Sequence, residues 1–350
     1  MVAMIKVLIV DDSALVRQSF KAILESDPQI EVVATASDPY IAVQKIQKNT
    51  PDVITLDLVM PKMDGLTFLR KLMKQAPMPV VVISNQTNKG AEIALKALEY
   101  GATTIMAKPK ISTADQLIEA KVELVDRVKA AYFAGKKGRF ATGLKNYIPD
   151  TSQRVLNKEY SNQTVIAIGA STGGTEAIKQ VLLKMPVNCP PILIVQHMPE
   201  KFTASFASRL DQSCSIVVKE AKHNEQVKSG VAYIAKGGHH MSLVKSSNKL
   251  LINISTGELV NRHRPSVNVL FDSVANVIGK HAVGVILTGM GDDGATGLLN
   301  MKQKGAYTIA QDEKTSVVFG MPLRAIENDA VEKILPLEEI SDGIYNYLSK

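Results

Sequence analysis

Short apolar runs recur along this chain, and each is followed by a stretch with helical spacing. That alternation leaves few folds open. The runs Ile5–Val10, Val32–Ala36, Val53–Leu56, Val80–Ile83 and Thr104–Ala107 read as buried strands. The segments Ala14–Glu25, Tyr40–Lys48, Leu66–Gln75, Glu92–Tyr100 and Ala114 to about Ala131 read as the helices between and after them. Parallel strands need a crossover connection, and a helix after every strand supplies it. The first part of the chain is therefore expected to be a doubly wound parallel sheet.

Such sheets place chemistry at the carboxyl ends of their strands. Asp11-Asp12 follow the first strand, Asp57 the third, Ser84 the fourth and Lys108-Pro109 the fifth. Any one of these could be a turn or cap residue; all of them on one rim is a different matter. Three carboxylates converging there repel one another unless a cation lies between them, and a hard divalent ion such as magnesium suits oxygen ligands. Lys108 could pair with a carboxylate or a phosphoryl oxygen, and Ser84 could hydrogen-bond the same group. Asp11-Asp12-Ser13, Asp57-Leu-Val-Met-Pro-Lys-Met-Asp-Gly65, Ser84 and Lys108-Pro109 together resemble the response-regulator receiver domain. The resemblance implies a flavodoxin-like (βα)5 fold. It implies that Asp57 accepts a phosphoryl group from a histidine kinase, and that Asp11, Asp12, Asp57 and the Val59 carbonyl hold magnesium. Ile105 departs from the pattern, since many receivers carry an aromatic switch residue there.

Periodicity fails from about Phe133 to Gln163, where Gly135, Gly138, Gly143 and Pro149 interrupt it among lysines and arginines. The expected division is a first domain over 4–130, a linker over 131–163 and a second domain over 164–350. A solvated hinge explains the basic linker better than a nucleic-acid contact, because no helix pair suited to reading DNA follows it.

The second domain resumes the α/β rhythm. Val165–Gly169 is a strand, and Thr175–Lys184 a helix. Pro191–Gln196 is a strand that ends in His197. A helix over Phe202–Leu210, a strand over Val231–Ala235 and a hairpin of Met241–Val244 with Leu250–Ile254 follow. Val267–Ile278 is a helix, Ala282–Thr288 a strand, Gly294–Lys302 a helix and Ala306–Ala310 a strand. A mostly parallel sheet with a β-hairpin excursion is expected.

Between the first strand and helix, Gly169-Ala-Ser171-Thr-Gly173 fits the G-x-S-x-G elbow, which lifts a serine above a strand end. A glycine-rich phosphate cradle is the alternative, but Ser171 stands where its second glycine belongs. Ser171, His197 and the pair Asp292-Asp293 all follow strands, so a parallel sheet brings a nucleophile, a base and a carboxylate to one rim. His281 precedes its strand and falls on the opposite rim. His223 lies in a polar stretch, and His239, His240 and His263 lie in irregular ones. Position therefore selects His197. Spacing does not choose between the two aspartates. The order Ser, His, Asp differs from that of α/β-hydrolases.

Gly-Ala-Ser171-Thr-Gly-Gly, Gln196-His-Met-Pro, His263-Arg-Pro-Ser-Val267, Leu287-Thr-Gly-Met-Gly-Asp-Asp293-Gly and Ala310-Gln-Asp-Glu resemble the chemotaxis protein-glutamate methylesterase family (CheB). The resemblance spans nearly the whole chain outside the linker. It implies a phosphorylation-regulated serine hydrolase that demethylates glutamate esters and deamidates glutamines on chemoreceptor cytoplasmic helices. It makes Asp293 the triad carboxylate, assigns the Met290 N–H to the oxyanion hole with Thr172 beside the nucleophile, and requires no cofactor for hydrolysis. The unphosphorylated receiver is then expected to cover the mouth of the active site.

Composition agrees with a globular chain: 45% hydrophobic and 21% charged residues, net charge +7 and only two cysteines. There is no metal-ligand cysteine spacing and no disulfide framework. No apolar run is long enough to span a bilayer, so membrane insertion is not expected and a cytoplasmic location is. The positive balance favours an acidic partner surface, either nucleic acid or an acidic protein helix; the resemblance implies the latter, on methyl-accepting receptors. A DNA-reading output and a nucleotide-binding module are the competing readings. Neither finds its motif: no recognition helix appears, and His197 replaces the acidic residue that would hold a ribose.

Overall fold

The computed structural model describes residues 4–85, 87–109, 113–136, 138 and 164–349. The chain forms two compact units, Met1–Tyr147 and Ile148–Lys350.

In the first unit, five strands alternate with five helices: β1 (Ile5–Val10), α1 (Ala14–Glu25), β2 (Ile30–Ala36), α2 (Pro39–Lys48), β3 (Val53–Asp57), α3 (Gly65–Gln75), β4 (Val80–Ser84), α4 (Asn88–Glu99), β5 (Thr104–Ala107) and α5 (Ala114–Lys136). The sheet order is β2-β1-β3-β4-β5, and every pairing is parallel. The order reverses between β1 and β3, which is where such folds open a crevice at their carboxyl edge. Several helices begin under a side-chain cap just beyond a strand. Ser13 accepts from Val16 N–H, Asp38 from Tyr40 and Ile41 N–H, and Asp64 from Thr67 N–H.

α5 corrects one boundary. It continues to Lys136, so residues 131–136, expected in the linker, are helical. Gly135 was read as a breaker there, but it lies where an added Cβ would meet Pro79 at 2.3 Å. Ala130, Ala131 and Ala134 beside it are buried. Tertiary packing thus overrides the weak helix propensity of glycine. Residues 137 and 139–163 of the expected linker lie outside the described residues.

In the second unit the elements are β6 (Val165–Ala170), α6 (Gly174–Leu183), β7 (Ile192–Gln196), α7 (Phe202–Asp211), β8 (Val217–Glu220), β9 (Val231–Ile234), β10 (His240–Ser246), β11 (Lys249–Ser255), α8 (Val267–Val277), β12 (Ala282–Ile286), α9 (Ala295–Gln303), β13 (Tyr307–Gln311), α10 (Met321–Glu327), β14 (Lys333–Leu335) and α11 (Leu337–Leu348). Seven strands form one parallel sheet in the order β14-β13-β12-β6-β7-β9-β8. The hairpin β10-β11 is a separate antiparallel pair. The sheet reverses direction between β6 and β12, so its switch point adjoins the end of β6.

The sequence reading did not find β8, α10, β14 and α11. β8 and β14 are edge strands of four and three residues, and α10 has seven residues. Elements that short carry no measurable period. In α11 the buried residues Leu337, Ile340, Ile344 and Leu348 do have helical spacing, but Asp342-Gly343 interrupts it.

α8 and α9 pack tightly enough to exclude a side chain. A Cβ on Gly297 would lie 2.7 Å from the Phe271 Cβ and 3.1 Å from the Asn268 Cα. Phe271, Leu270, Val274, Leu298 and Met301 fill the core around this crossing. Gly297→Ala should therefore destabilise the second unit by about 1–3 kcal/mol, although alanine favours helix. Calorimetry should show the unfolding midpoint lowered by about 2–4 °C per kcal/mol. An unchanged or raised midpoint would mean that the helices can separate freely.

Candidate active site

The three central strands of the second sheet deliver one residue each. Ala170 of β6 pairs with Gln196 of β7, so Ser171 and His197 leave the sheet side by side. His197 N–H donates to the Ala170 carbonyl at 3.1 Å, and Ser171 N–H donates to the Thr288 carbonyl beyond β12 at 3.0 Å. Asp293 follows on the same side. Ser171, His197 and Asp293 are all buried, at 8%, 4% and 1% exposure. The elbow turns through Gly173 at φ +79°, and α6 starts at Gly174.

His197 Nε2 lies 2.8 Å from Asp293 Oδ2. Asp293 accepts three further hydrogen bonds: Ser266 Oγ at 2.7 Å, Val267 N–H at 2.7 Å and Asn268 N–H at 3.1 Å. The last two amides open α8, so the carboxylate also sits at the positive end of that helix. Burial pushes the Asp293 carboxyl up. The hydrogen bonds and charge of His197, with those of Val267 and Ser266, outweigh burial and hold it below the usual carboxylate range. In return, the Asn268 side-chain oxygen accepts from Gly294 and Gly297 N–H at 3.1 and 2.7 Å, capping α9. α8 and α9 are thus capped on either side of Asp293. Asp292 is exposed, and its oxygen accepts from the Asn261 side-chain amide at 3.3 Å.

Thr172 is buried beside Ser171, and its carbonyl accepts from Thr288 Oγ1 at 2.9 Å. The loop carrying Met290 lies against the nucleophile, because a Cβ on Gly289 would sit 2.8 Å from the Ser171 Cβ. That loop is anchored by Gly289 N–H to the Val318 carbonyl, and by Gly320 and Met321 N–H to the Gly289 carbonyl.

The structure also places histidines that position alone could not. The His263 ring stacks on His197, with centroids 3.7 Å apart and planes 20° from parallel. His240 bridges the loop before α8: its Nδ1 accepts from Ser266 N–H at 3.3 Å, and its Nε2 lies 2.7 Å from the Glu258 carbonyl. His239, His223 and His281 are not part of this cluster; His223 and His281 are exposed. Ser266, Asn268 and Gln196 are further partners that the sequence reading did not single out. Ser266 and Gln196 lie within the His263-Arg-Pro-Ser-Val267 and Gln196-His-Met-Pro motifs.

The first unit brings its own rim residues together. Oxygens of Asp11, Asp12 and Asp57 lie within 4.8 Å of one another. The Lys108 ammonium lies 2.9 Å from Asp11 and 2.8 Å from Asp57. Burial lowers the Lys108 pKa and the two carboxylates raise it, with the carboxylates prevailing. Burial raises the Asp11 pKa beyond what Lys108 and Ser13 N–H offset. A centre of three carboxylates facing one ammonium is short of positive charge, and its all-oxygen donor set suits a hard divalent cation. Val59 N–H donates to Asp57 Oδ1 at 3.0 Å, while Ser84 Oγ donates to the Gly90 carbonyl at 3.1 Å. Ile105 is buried.

Two family models match the chain: one described as CheB methylesterase over residues 166–344, and one described as response regulator receiver domain over residues 7–121. The protein-glutamate methylesterase/protein-glutamine glutaminase 2 of Rhodospirillum rubrum is 53% identical, with 96% of each chain covered. Protein-glutamate methylesterase/protein-glutamine glutaminase 3 of Geobacter metallireducens is 51% identical over 96% of this chain and 97% of its own. Among solved structures, the catalytic domain of Thermotoga maritima CheB methylesterase superposes with a TM-score of 0.52 at 38% identity, covering 53% of this chain and 98% of that one.

The Asp293 arrangement generates a pH test. Its carboxyl is held below the unfolded value of 3.8, so the stability it contributes is complete above that value and is lost as pH falls through the depressed one. Asp293→Asn puts an amide donor among donors and should cost about 3–5 kcal/mol. Denaturant unfolding should show that gap persisting down to about pH 4 and closing below it. A gap that widens in acid would contradict the assignment.

Proposed function

The chain belongs to the CheB methylesterase family, and from that membership we propose how its two sites work together. The activity is that of a protein-glutamate methylesterase and protein-glutamine glutaminase. Ser171 Oγ attacks the γ-carbonyl of a glutamate methyl ester. The Asp293 contact leaves Nδ1 as the basic nitrogen of His197, which takes the serine proton. Asp293 keeps the imidazole in that tautomer and stabilises the imidazolium. The oxyanion of the tetrahedral intermediate is received by backbone N–H groups of Met290 and Thr172. Each such donor is worth roughly 2.7–4 kcal/mol in comparable sites. His197 returns the proton to the departing methanol. It then activates water, which releases glutamate from the acyl-enzyme. A glutamine side chain follows the same steps and loses ammonia. The observation that carries this reading is the buried 2.8 Å contact between His197 and Asp293, beside Ser171 at the switch point of the sheet.

The substrates are methyl-accepting chemoreceptors, whose acidic cytoplasmic helices suit a chain of net charge +7. The enzyme works in the cytoplasm; among the described residues no helix is long and apolar enough to cross a membrane. A chemotaxis histidine kinase donates a phosphoryl group to Asp57. Asp11, Asp12, Asp57 and the Val59 carbonyl would hold magnesium, which neutralises phosphoryl charge when bound. Lys108 is already paired with Asp57 and remains as a partner for the phosphoryl oxygens. Ser84 reaches that group by exchanging its Gly90 acceptor for it. Phosphorylation adds charge and acceptors at this rim and raises the esterase rate.

Ser171→Ala should abolish methanol release from methylated receptor and labelling by a fluorophosphonate. Asp293→Asn should lower the rate by about 10⁴, as loss of a triad carboxylate does elsewhere. Asp292→Asn should stay within about threefold, as expected of an exposed residue outside the triad. The reverse order for the two aspartates would move the triad to Asp292.

A small-molecule phosphoryl donor with magnesium should accelerate the wild-type chain but not Asp57→Asn. Equal responses would remove Asp57 from control.

A further inference from the structure

Gln196 ends β7 and is 3% exposed. Its side-chain amide Nε2 donates to two carbonyls: that of Ser171 at 2.9 Å and that of His197 at 3.3 Å. Two acceptors facing one end of the carboxamide fix which end is nitrogen. The opposite end, Oε1, is buried and accepts no hydrogen bond from the described residues. It occupies the space that Gly174 leaves open, only 2.1 Å from where a Cβ there would stand.

The Ser171 carbonyl accepts a second hydrogen bond, from Gly174 N–H at 2.8 Å, so both of its lone pairs are engaged. A trans peptide is planar, so the direction of the Ser171 C=O fixes the opposite direction of the Thr172 N–H. On the far side of Thr172, its own carbonyl is held by Thr288 Oγ1 at 2.9 Å. Both peptide planes around Thr172 are therefore fixed by side chains outside the elbow. The same Gln196 nitrogen also restrains the peptide that follows His197.

We propose that Gln196 is a positioning residue, holding the Ser171 carbonyl so that the Thr172 amide stays aimed at the oxyanion. This rests on the reading of Ser171 as nucleophile. Stability alone does not account for the residue. A buried carboxamide that pairs only its nitrogen end is a poor core group if stability is its sole task. The two donated hydrogen bonds account for its presence.

The test uses the full chain and two variants: Gln196→Met, which keeps the length and removes the donor, and Gln196→Glu, which replaces the donor with an acceptor. An alkyl fluorophosphonate measures attack by Ser171, and phenylboronic acid measures affinity for a tetrahedral anion. Losing one oxyanion donor costs about 10²–10³ in rate, so misaiming it should slow the maximal inactivation rate at least about tenfold. Phenylboronic acid should bind correspondingly weaker. The half-saturating fluorophosphonate concentration should stay near wild type, and so should the unfolding midpoint of Gln196→Met; the midpoint of Gln196→Glu should fall, because a buried carboxylate then faces two carbonyl oxygens. Folded variants with wild-type inactivation and boronate affinity would overturn the proposal. So would a Gln196→Met chain that loses its unfolding midpoint, which would make Gln196 a folding residue. A wild-type chain that is not labelled at Ser171 would instead overturn the nucleophile reading, and this proposal with it.

Discussion

One buried carboxylate joins the catalytic unit together. Asp293 receives a ring nitrogen, a hydroxyl and two backbone amides, and those groups come from the end of β7 and the start of α8. Charged groups this deeply buried are costly unless their hydrogen-bonding capacity is filled. Here it is filled by elements that must each be in place. The carboxylate caps α8, the Asn268 side chain of α8 caps α9, and Gly297 lets the two helices close to contact. The His197 ring is oriented by the same group that orders the helices. Catalytic geometry and local folding are one problem in this region.

The two sheets solve opposite electrostatic problems with one shared device, a parallel sheet whose strand order reverses. Each gathers its polar residues where its strand order reverses: between β1 and β3 in the receiver, and between β6 and β12 in the second unit. The receiver gathers three carboxylates around a single ammonium and leaves negative charge over, which suits a site that must admit a cation and then a phosphoryl group. The catalytic crevice surrounds one carboxylate with donors and leaves none of its demand unmet.

Much of this was legible in the residues. Strand ends announce themselves when an apolar run stops at Asp57, Ser171 or His197, and the parallel topology then gathers those ends without further information. What was not legible depends on contacts across the chain. Asp292 and Asp293 are neighbours with identical chemistry, and only the approach of α8, distant in sequence, distinguishes the buried one from the exposed one. His263 stands in a loop with no period, yet its ring covers that of the base. Gly135 reads as a breaker until Pro79 is found packed against it. Short edge elements such as β14 escape because three residues define no repeat.

The fit of Gln196 against Gly174 has an evolutionary consequence. The two residues share one volume, so neither can be replaced without regard to the other. Any side chain at position 174 must displace the carboxamide, and any shorter residue at 196 abandons the carbonyls of Ser171 and His197. A path that changes both must pass through a chain in which the elbow is either crowded or unsupported. The pair should therefore show sign epistasis, with single changes harmful in either order. A drifting sequence would then be expected to keep both residues together long after the surrounding surface has diverged.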